Sequence, residues 1–174
     1  NLLLKRETLP SAYDCRNQPG FMSTLQQQGA NAAYWTAPYS FMTNMEAGIT
    51  ASVRFTANNG ERYVLSLDTS VNNISSMTRY ITVGKSGFIV LFDAAGAIVG
   101  EPARRVFVPQ TSAEEKIVTM RDIPVLATLY EQWGAAGRRV DQTQSSQVDG
   151  VGWITRFTKM SLGGRTLYVG MFVP

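Results

Sequence analysis

Gly48-Ile49-Thr50-Ala51-Ser52-Val53-Arg54-Phe55-Thr56-Ala57, then Asn58-Asn59-Gly60-Glu61, then Arg62-Tyr63-Val64-Leu65-Ser66-Leu67-Asp68 is the stretch whose reading decides the fold. In residues 48–57 Ile49, Ala51, Val53 and Phe55 alternate with Thr50, Ser52, Arg54 and Thr56. Successive side chains of an extended chain point to opposite faces, so this alternation predicts a half-buried strand. Asn58-Asn59-Gly60 has the chemistry of a hairpin turn, because Asn and Gly tolerate positive φ. Residues 62–68 return as a second alternating strand carrying Tyr63, Leu65 and Leu67 on one face.

Before this hairpin, residues 2–6 read as a strand, and Pro10, Pro19 and Gly20 break up the chain beyond it. A short helix near residues 21–28 and a strand-like stretch over residues 30–36 come next. After the hairpin, Asp68 or Thr69 can cap a helix with Val71, Ile74 and Met77 on one apolar face. Residues 88–92 are a buried strand, and Asp93-Ala94-Ala95-Gly96 turns the chain back into residues 97–100. Residues 102–109 read as irregular. Ser112 and Glu115 form a capping-box pair opening a helix. Asp122 caps a further helix with Pro124 in its first turn and Val125, Leu126, Leu129, Tyr130 and Trp133 along it. Residues 141–150 are polar and loop-like. Residues 151–157 and 166–173 are strands joined through Gly163-Gly164. Strands occur as neighbouring hairpins rather than alternating with helices, which predicts an α+β class with antiparallel sheets.

Composition narrows the function. The 174 residues are 44% hydrophobic and 17% charged, enough to bury a core. The net charge of +3 is spread along the chain, and Arg104-Arg105 and Arg138-Arg139 are its densest cationic spots, so no nucleic-acid partner is expected. The chain has no histidine and a single cysteine, Cys15, which removes the usual general base, zinc ligand and activated thiol. No metal or cofactor is expected. The longest aliphatic and aromatic run, residues 88–92, is far short of the roughly 20 residues a membrane-spanning helix needs. Val83-Gly84-Lys85-Ser86 suggests a phosphate loop, but Arg79 stands where that loop needs its first glycine. Gly150-Val151-Gly152 lacks the third glycine of a dinucleotide loop, and no Gly-x-Ser-x-Gly elbow is present. Glu114-Glu115 reads as a solvated helix start. No catalytic residue is assigned, and the chain is not expected to be an enzyme.

The segment Tyr34-Trp35-Thr36-Ala37-Pro38-Tyr39, then Gly48-Ile49-Thr50-Ala51-Ser52, then Tyr63-Val64-Leu65-Ser66-Leu67-Asp68 and Ile74, resembles the membrane-distal module of double-Cache (PAS-like) sensors. Gly87, Asp93, Gly96 and Pro102 resemble the membrane-proximal module, with one residue fewer before the aspartate. The ending from Gly152-Trp153 to Tyr168-Val169-Gly170-Met171-Phe172-Val173-Pro174 looks like that module's final hairpin. The resemblance implies two modules, residues 1–75 and 76–174. It also implies a long connecting helix covering apolar sheet surface, which is expected to be missing or truncated here, since the chain starts with a strand-like stretch. It further implies an extracytoplasmic, periplasmic sensing domain of a membrane-anchored receptor of the cyclase, sensor-kinase or chemoreceptor type. Such a domain is homodimeric and binds a small molecule. The alternative is a dimerisation or transmission domain of such a receptor that binds none.

In amine- and amino-acid-sensing members, a tyrosine matching Tyr39 lines the pocket and an aspartate matching Asp68 holds the ligand's ammonium. Trp35 and Phe21 are its expected walls. Asp68 could instead cap the next helix, and Tyr39 and Trp35 could be core residues. The Arg-x-Trp-Tyr signature of amino-acid-binding members is replaced by Gln18-Pro19-Gly20-Phe21, with Arg16 out of register, which argues against a standard α-amino acid. Assays on generic ester, phosphate and glycoside substrates should find no turnover; activity abolished by one substitution in this chain would refute the non-enzymatic reading.

Overall fold

The structure is a computed structural model, and it describes residues 13–26, 33–102 and 117–174. The expected strand at residues 2–6 and helix at Ser112 lie outside them. The described strands form two separate antiparallel sheets. In the first, β1 (Ala33–Trp35) and β2 (Tyr39–Ser40) share one edge of β3 (Ala47–Thr56), and β4 (Arg62–Ser70) pairs along the other. The second has the order β6-β5-β9-β8-β7, built from β5 (Phe88–Asp93), β6 (Ile98–Gly100), β7 (Thr143–Val148), β8 (Val151–Leu162) and β9 (Arg165–Val173). Helices α1 (Pro19–Gln26), α2 (Val71–Thr78) and α3 (Pro124–Ala135) complete the α+β arrangement. No helix among the described residues is long and apolar enough to cross a membrane.

The hairpin around Asn58-Asn59-Gly60 forms as expected and pairs Thr56 with Arg62 and Thr50 with Asp68. Its faces, however, are inverted relative to a simple apolar-in reading. Thr50 and Ser52 are each 2% exposed, whereas Leu65 is 63% and Leu67 72% exposed. On β3 the buried face is the polar one, under α1, while Ser66 and Asp68 on the same face of β4 remain exposed. The opposite face carries Ala51, Val53, Phe55, Tyr63, Leu65 and Leu67, with Phe55 stacked on Tyr63 at 5.6 Å. Among the described residues, its Ile49 end is covered, where Ile49 packs with Val99 and Leu167 of the second sheet and with Trp35, Ile74, Leu91 and Leu162.

Four local expectations need correction. The helix after β4 is capped by Ser70, whose side chain accepts from the Asn73 N–H at 3.2 Å; Asp68 lies two residues upstream, inside the strand. That helix buries Ser75 and Thr78 rather than Met77, which is 72% exposed. Asp122 does not cap α3: it closes a short 3-10 turn, Met120–Asp122, by accepting from both the N–H and the hydroxyl of Thr119. Residues 143–148, read as loop, are an edge strand, because the pairing of Gln144 with Thr155 and Ser146 with Trp153 compensates for weak β propensity.

The second sheet holds the main core. α3 lays Leu126, Leu129, Tyr130 and Trp133 on its inner face. Trp133 stacks on Phe157 at 4.3 Å and is fully buried, and its indole N–H donates to the Arg139 carbonyl at 2.8 Å. Phe92 meets Tyr130, Trp133, Phe157 and Tyr168. Trp133→Ala should therefore cost roughly 3–5 kcal/mol in chemical denaturation. Leu65→Lys with Leu67→Lys should change monomer stability by less than about 1 kcal/mol. The same pair should weaken self-association in sedimentation experiments, since an exposed apolar patch drives association.

Candidate functional site

The polar face of the first sheet meets α1 at a glycine. A Cβ on Gly20 would stand 2.7 Å from Ser52 Oγ and 2.7 Å from Thr50 Cγ2, so only glycine lets the helix backbone rest on β3. Thr24, buried on the same helix, satisfies its hydroxyl within α1 by donating to the Gly20 carbonyl at 2.7 Å. Beside this contact opens a recess of about 190 Å³. Its walls are Tyr13, Gln18 and Phe21 from the α1 side, Tyr39 and Phe41 from the β2 side, and Thr50, Ser66 and Asp68 from the hairpin.

Thr50 is the hub. Its hydroxyl donates to Asp68 Oδ1 at 2.7 Å and lies 2.6 Å from the Tyr39 hydroxyl. A threonine hydroxyl has one proton, here committed to the carboxylate, so Tyr39 is the donor to Thr50. The Thr50 N–H donates to Thr36 Oγ1 at 2.9 Å, and the Thr50 carbonyl accepts from the Thr36 N–H at 3.0 Å. Thr36 and Thr50 are both buried, so every polar atom of Thr50 is engaged. Ser52 and Ser66 face each other at 2.8 Å one step along the same face. Phe41 braces Tyr39 edge-on, with ring centroids 5.2 Å apart.

Burial raises the Tyr39 hydroxyl pKa above its ordinary 10.0; the hydrogen bond with Thr50 opposes this, and the nearby Asp68 and Tyr13 add to it. The Tyr13 hydroxyl is raised too, by burial first and then by Asp68 and Cys15. Arg16, next in sequence to the recess-lining Cys15, is held by Asp14, donating through Nε at 2.9 Å and Nη2 at 2.8 Å. Among the described residues no group of three or more His, Cys, Asp or Glu side chains is arranged to hold a metal.

Of the four residues singled out in the sequence, Tyr39, Asp68 and Phe21 line one recess. Trp35 does not. It sits on the opposite face of β1, in the seam between the sheets, where Gly163 of the β8–β9 turn abuts it with φ +50. Its role is packing, the core position that the sequence also allowed. Sequence reasoning missed Thr50, Tyr13, Gln18 and Ser66. Thr50 was within reach, since a hairpin turning at residues 58–60 sets it opposite Asp68. Tyr13 and Gln18 arrive through a tertiary approach that no local pattern encodes.

No family model matches the chain. It is similar to a probable methyl-accepting chemotaxis protein of Bacillus thuringiensis subsp. konkukian, 25% identical over 109 residues, covering 63% of this chain and 15% of that protein. Among solved structures, the ligand-binding domain of Pseudomonas fluorescens chemoreceptor CtaA in complex with L-isoleucine aligns with TM-score 0.64 and 17% identity over 97% of this chain and 61% of that one. The ligand-binding domain of Pseudomonas aeruginosa chemoreceptor PctB in complex with L-Arg gives 0.63 and 17% over 97% and 64%. The P. aeruginosa PctC domain in complex with GABA gives 0.61 and 17% over 97% and 66%. The chain thus spans under two thirds of these domains. The likeness shows the fold, an α+β arrangement of antiparallel sheets shared with these ligand-binding domains.

The Tyr39 shift sets a pH dependence. A hydroxyl whose pKa is raised on folding contributes stability that is fully present below the unfolded value, about 10, and is lost as pH rises through the folded value. Tyr39→Phe should cost about 0.5–1.5 kcal/mol at neutral pH, from the lost donor to Thr50. It should also shrink the alkaline loss of stability in denaturation curves, leaving the Tyr13 share. An unchanged alkaline slope would mean that Tyr39 is solvated in solution.

Proposed function

We propose that this chain is the extracytoplasmic small-ligand sensing domain of a membrane-anchored signalling receptor of the chemoreceptor type. Residues 1–75 form a membrane-distal module that holds the ligand, and residues 76–174 a membrane-proximal module. The chain itself does no chemistry, and the receptor works as a homodimer with this part in the periplasm.

The observation that carries the reading is the recess under α1, where Tyr39, Thr50 and Asp68 form one hydrogen-bonded row at its wall. A sheet that buries its polar face and exposes its apolar one sacrifices core formation for a concave polar site, the arrangement expected of a small-ligand pocket. The corresponding face of the second sheet offers no such space, being filled by the Trp133, Phe157 and Phe92 rings. The domains of CtaA, PctB and PctC, solved with L-isoleucine, L-Arg and GABA, support a small-molecule ligand for this fold.

The exposed apolar face of β3 and β4 favours a second reading, a module that only associates with another surface. A thermal-shift screen against a metabolite library separates the two. A ligand at a hundred times its Kd stabilises the native state by about 2.7 kcal/mol. At least one compound should raise the melting temperature of the wild type, and the shift should vanish in the Asp68→Asn, Tyr39→Ala double variant. Shifts that survive in that variant would put the site elsewhere, and a screen without shifts would favour the associating module.

A further inference from the structure

We propose that α2 is an arm of the second sheet, hinged to the first at Ser70–Val71, so that a displacement of β4 at the recess reaches the second sheet through it. A helix of eight residues is too short to be stable by itself in water, so its packing decides what it moves with. Its inner side carries Ser75 and Thr78, 0% and 7% exposed, and both are bound to the residue that follows β6. The Glu101 N–H donates to Ser75 Oγ at 2.9 Å, and the Glu101 carbonyl accepts from the Thr78 hydroxyl at 2.6 Å. The Glu101 carboxylate takes Arg79 Nη2 at 2.7 Å in a part-buried ion pair. Gly100, the last residue of β6, lets the helix come this close. A Cβ there would stand 2.9 Å from Thr78 Cγ2, 3.0 Å from Leu91 Cβ and 3.3 Å from Ile74 Cγ2.

The first sheet meets α2 differently. β4 runs straight into the helix, with Ser70 extended at φ −75 and ψ 153 and its hydroxyl accepting from the Asn73 N–H. Across the seam, Ile49 packs with Ile74. The Ser70 cap fixes where the helix starts, and the Glu101 bonds fix what it rides on. A chain that changes from strand to helix at one step, with the helix held by the other body, has the form of a hinge, a role that a few element-terminal residues fill. Asp68 of the recess wall stands on the same face of β4, two residues before that step. A shift of β4 at Asp68 therefore runs along an extended strand to Val71, and from α2 to β6 through Glu101. The mechanical boundary between the two modules lies at Ser70–Val71, ahead of residue 75, and α2 moves with residues 76–174. The joint does not depend on what the recess binds.

Native-state hydrogen exchange on the whole chain tests the joint without a ligand. The first sheet buries hydroxyls beside an open recess and the second buries stacked rings, so the first should open at the lower free energy. In guanidinium below the unfolding transition, the amides of residues 75–79 should keep step with those of β5 and β9 and exchange at least about tenfold more slowly than those of β3. Gly20→Ala, which unseats α1, should speed β3 exchange by about tenfold or more and that of residues 75–79 by less than about twofold. Ser75→Ala with Thr78→Val removes both hydroxyls from Glu101 and should speed exchange of residues 75–79 by about tenfold or more, with β5 and β9 unchanged. A double-mutant cycle reads the coupling itself. Asp68→Ala should move the amide resonances of residues 98–101 in the wild-type background and leave them in place in the Ser75→Ala, Thr78→Val background. Residues 75–79 exchanging in step with β3, in the wild type or in Gly20→Ala, would overturn the proposal. So would unchanged exchange in the double variant, or resonance shifts that are equal in the two backgrounds. The wild-type comparison decides the matter by itself where a variant does not fold.

Discussion

The antiparallel pairing of β3 with β4, in the register that sets Thr50 opposite Asp68, is the constraint on which the rest of the first sheet depends. A shift of one residue would turn every side chain of one strand to the other face. Here the register collects Thr50, Ser52, Ser66 and Asp68 on the face that α1 covers and leaves Leu65 and Leu67 outside. Burying hydroxyls is costly unless they are hydrogen-bonded, and these are: Thr50 with Tyr39, Asp68 and Thr36, and Ser52 with Ser66. The row of hydrogen bonds is therefore both what makes the inverted face tolerable and what builds the recess.

Much of this architecture is legible in the sequence. The hairpin around Asn58-Asn59-Gly60 follows from turn chemistry and alternation, and α3 from the spacing of Leu126, Leu129, Tyr130 and Trp133. Both are local signals strong enough to survive tertiary context. The face of the hairpin that is buried is not local. Alternation shows that two faces differ, and which one is covered depends on where α1 docks, a contact permitted by the absence of a side chain at Gly20. The same limit explains Asp68. Read locally it can cap a helix, but β4 continues to Ser70, which takes that role and frees the carboxylate for Thr50. The strand over residues 143–148 was hidden for a related reason: its Gln and Ser residues pair along β8 without an intrinsic preference to do so.

The candidate site was legible in part, and the part that was missed is informative. Tyr39 and Asp68 carry the resemblance, and they converge with Phe21, which does not. Trp35 carries it equally but serves packing, because adjacent residues of a strand point to opposite faces. Trp35 is paired with Ala51 and so turns toward Ile49 and the second sheet, whereas Tyr39 is paired with Gly48 and turns with Thr50 toward the recess. A motif read as a string of letters merges these two jobs; the pleat of the strand separates them.

That separation also joins the two sheets physically. Thr36 holds both backbone groups of Thr50, the residue that Tyr39 and Asp68 share, and its neighbour Trp35 is wedged against Gly163 in the β8–β9 turn. At φ +50 and with backbone and ring atoms already at contact distance, Gly163 has no room for a side chain. Two residues on, Arg165 reaches buried Asp93 at 3.7 Å, and the same Asp93 accepts from the Ala95 and Ala97 N–H groups of the β5–β6 turn. One end of the second sheet is thus pinned against β1, the strand paired with the one that carries the recess hub. The sheet behind that seam is filled by stacked rings and has little freedom to adjust, whereas the first sheet keeps its polar face around an open recess. Close-packed interiors respond to displacement as units rather than by local give. The Trp35–Gly163 contact is therefore a place where the first sheet meets the ring-packed sheet with no side-chain space between the two backbones.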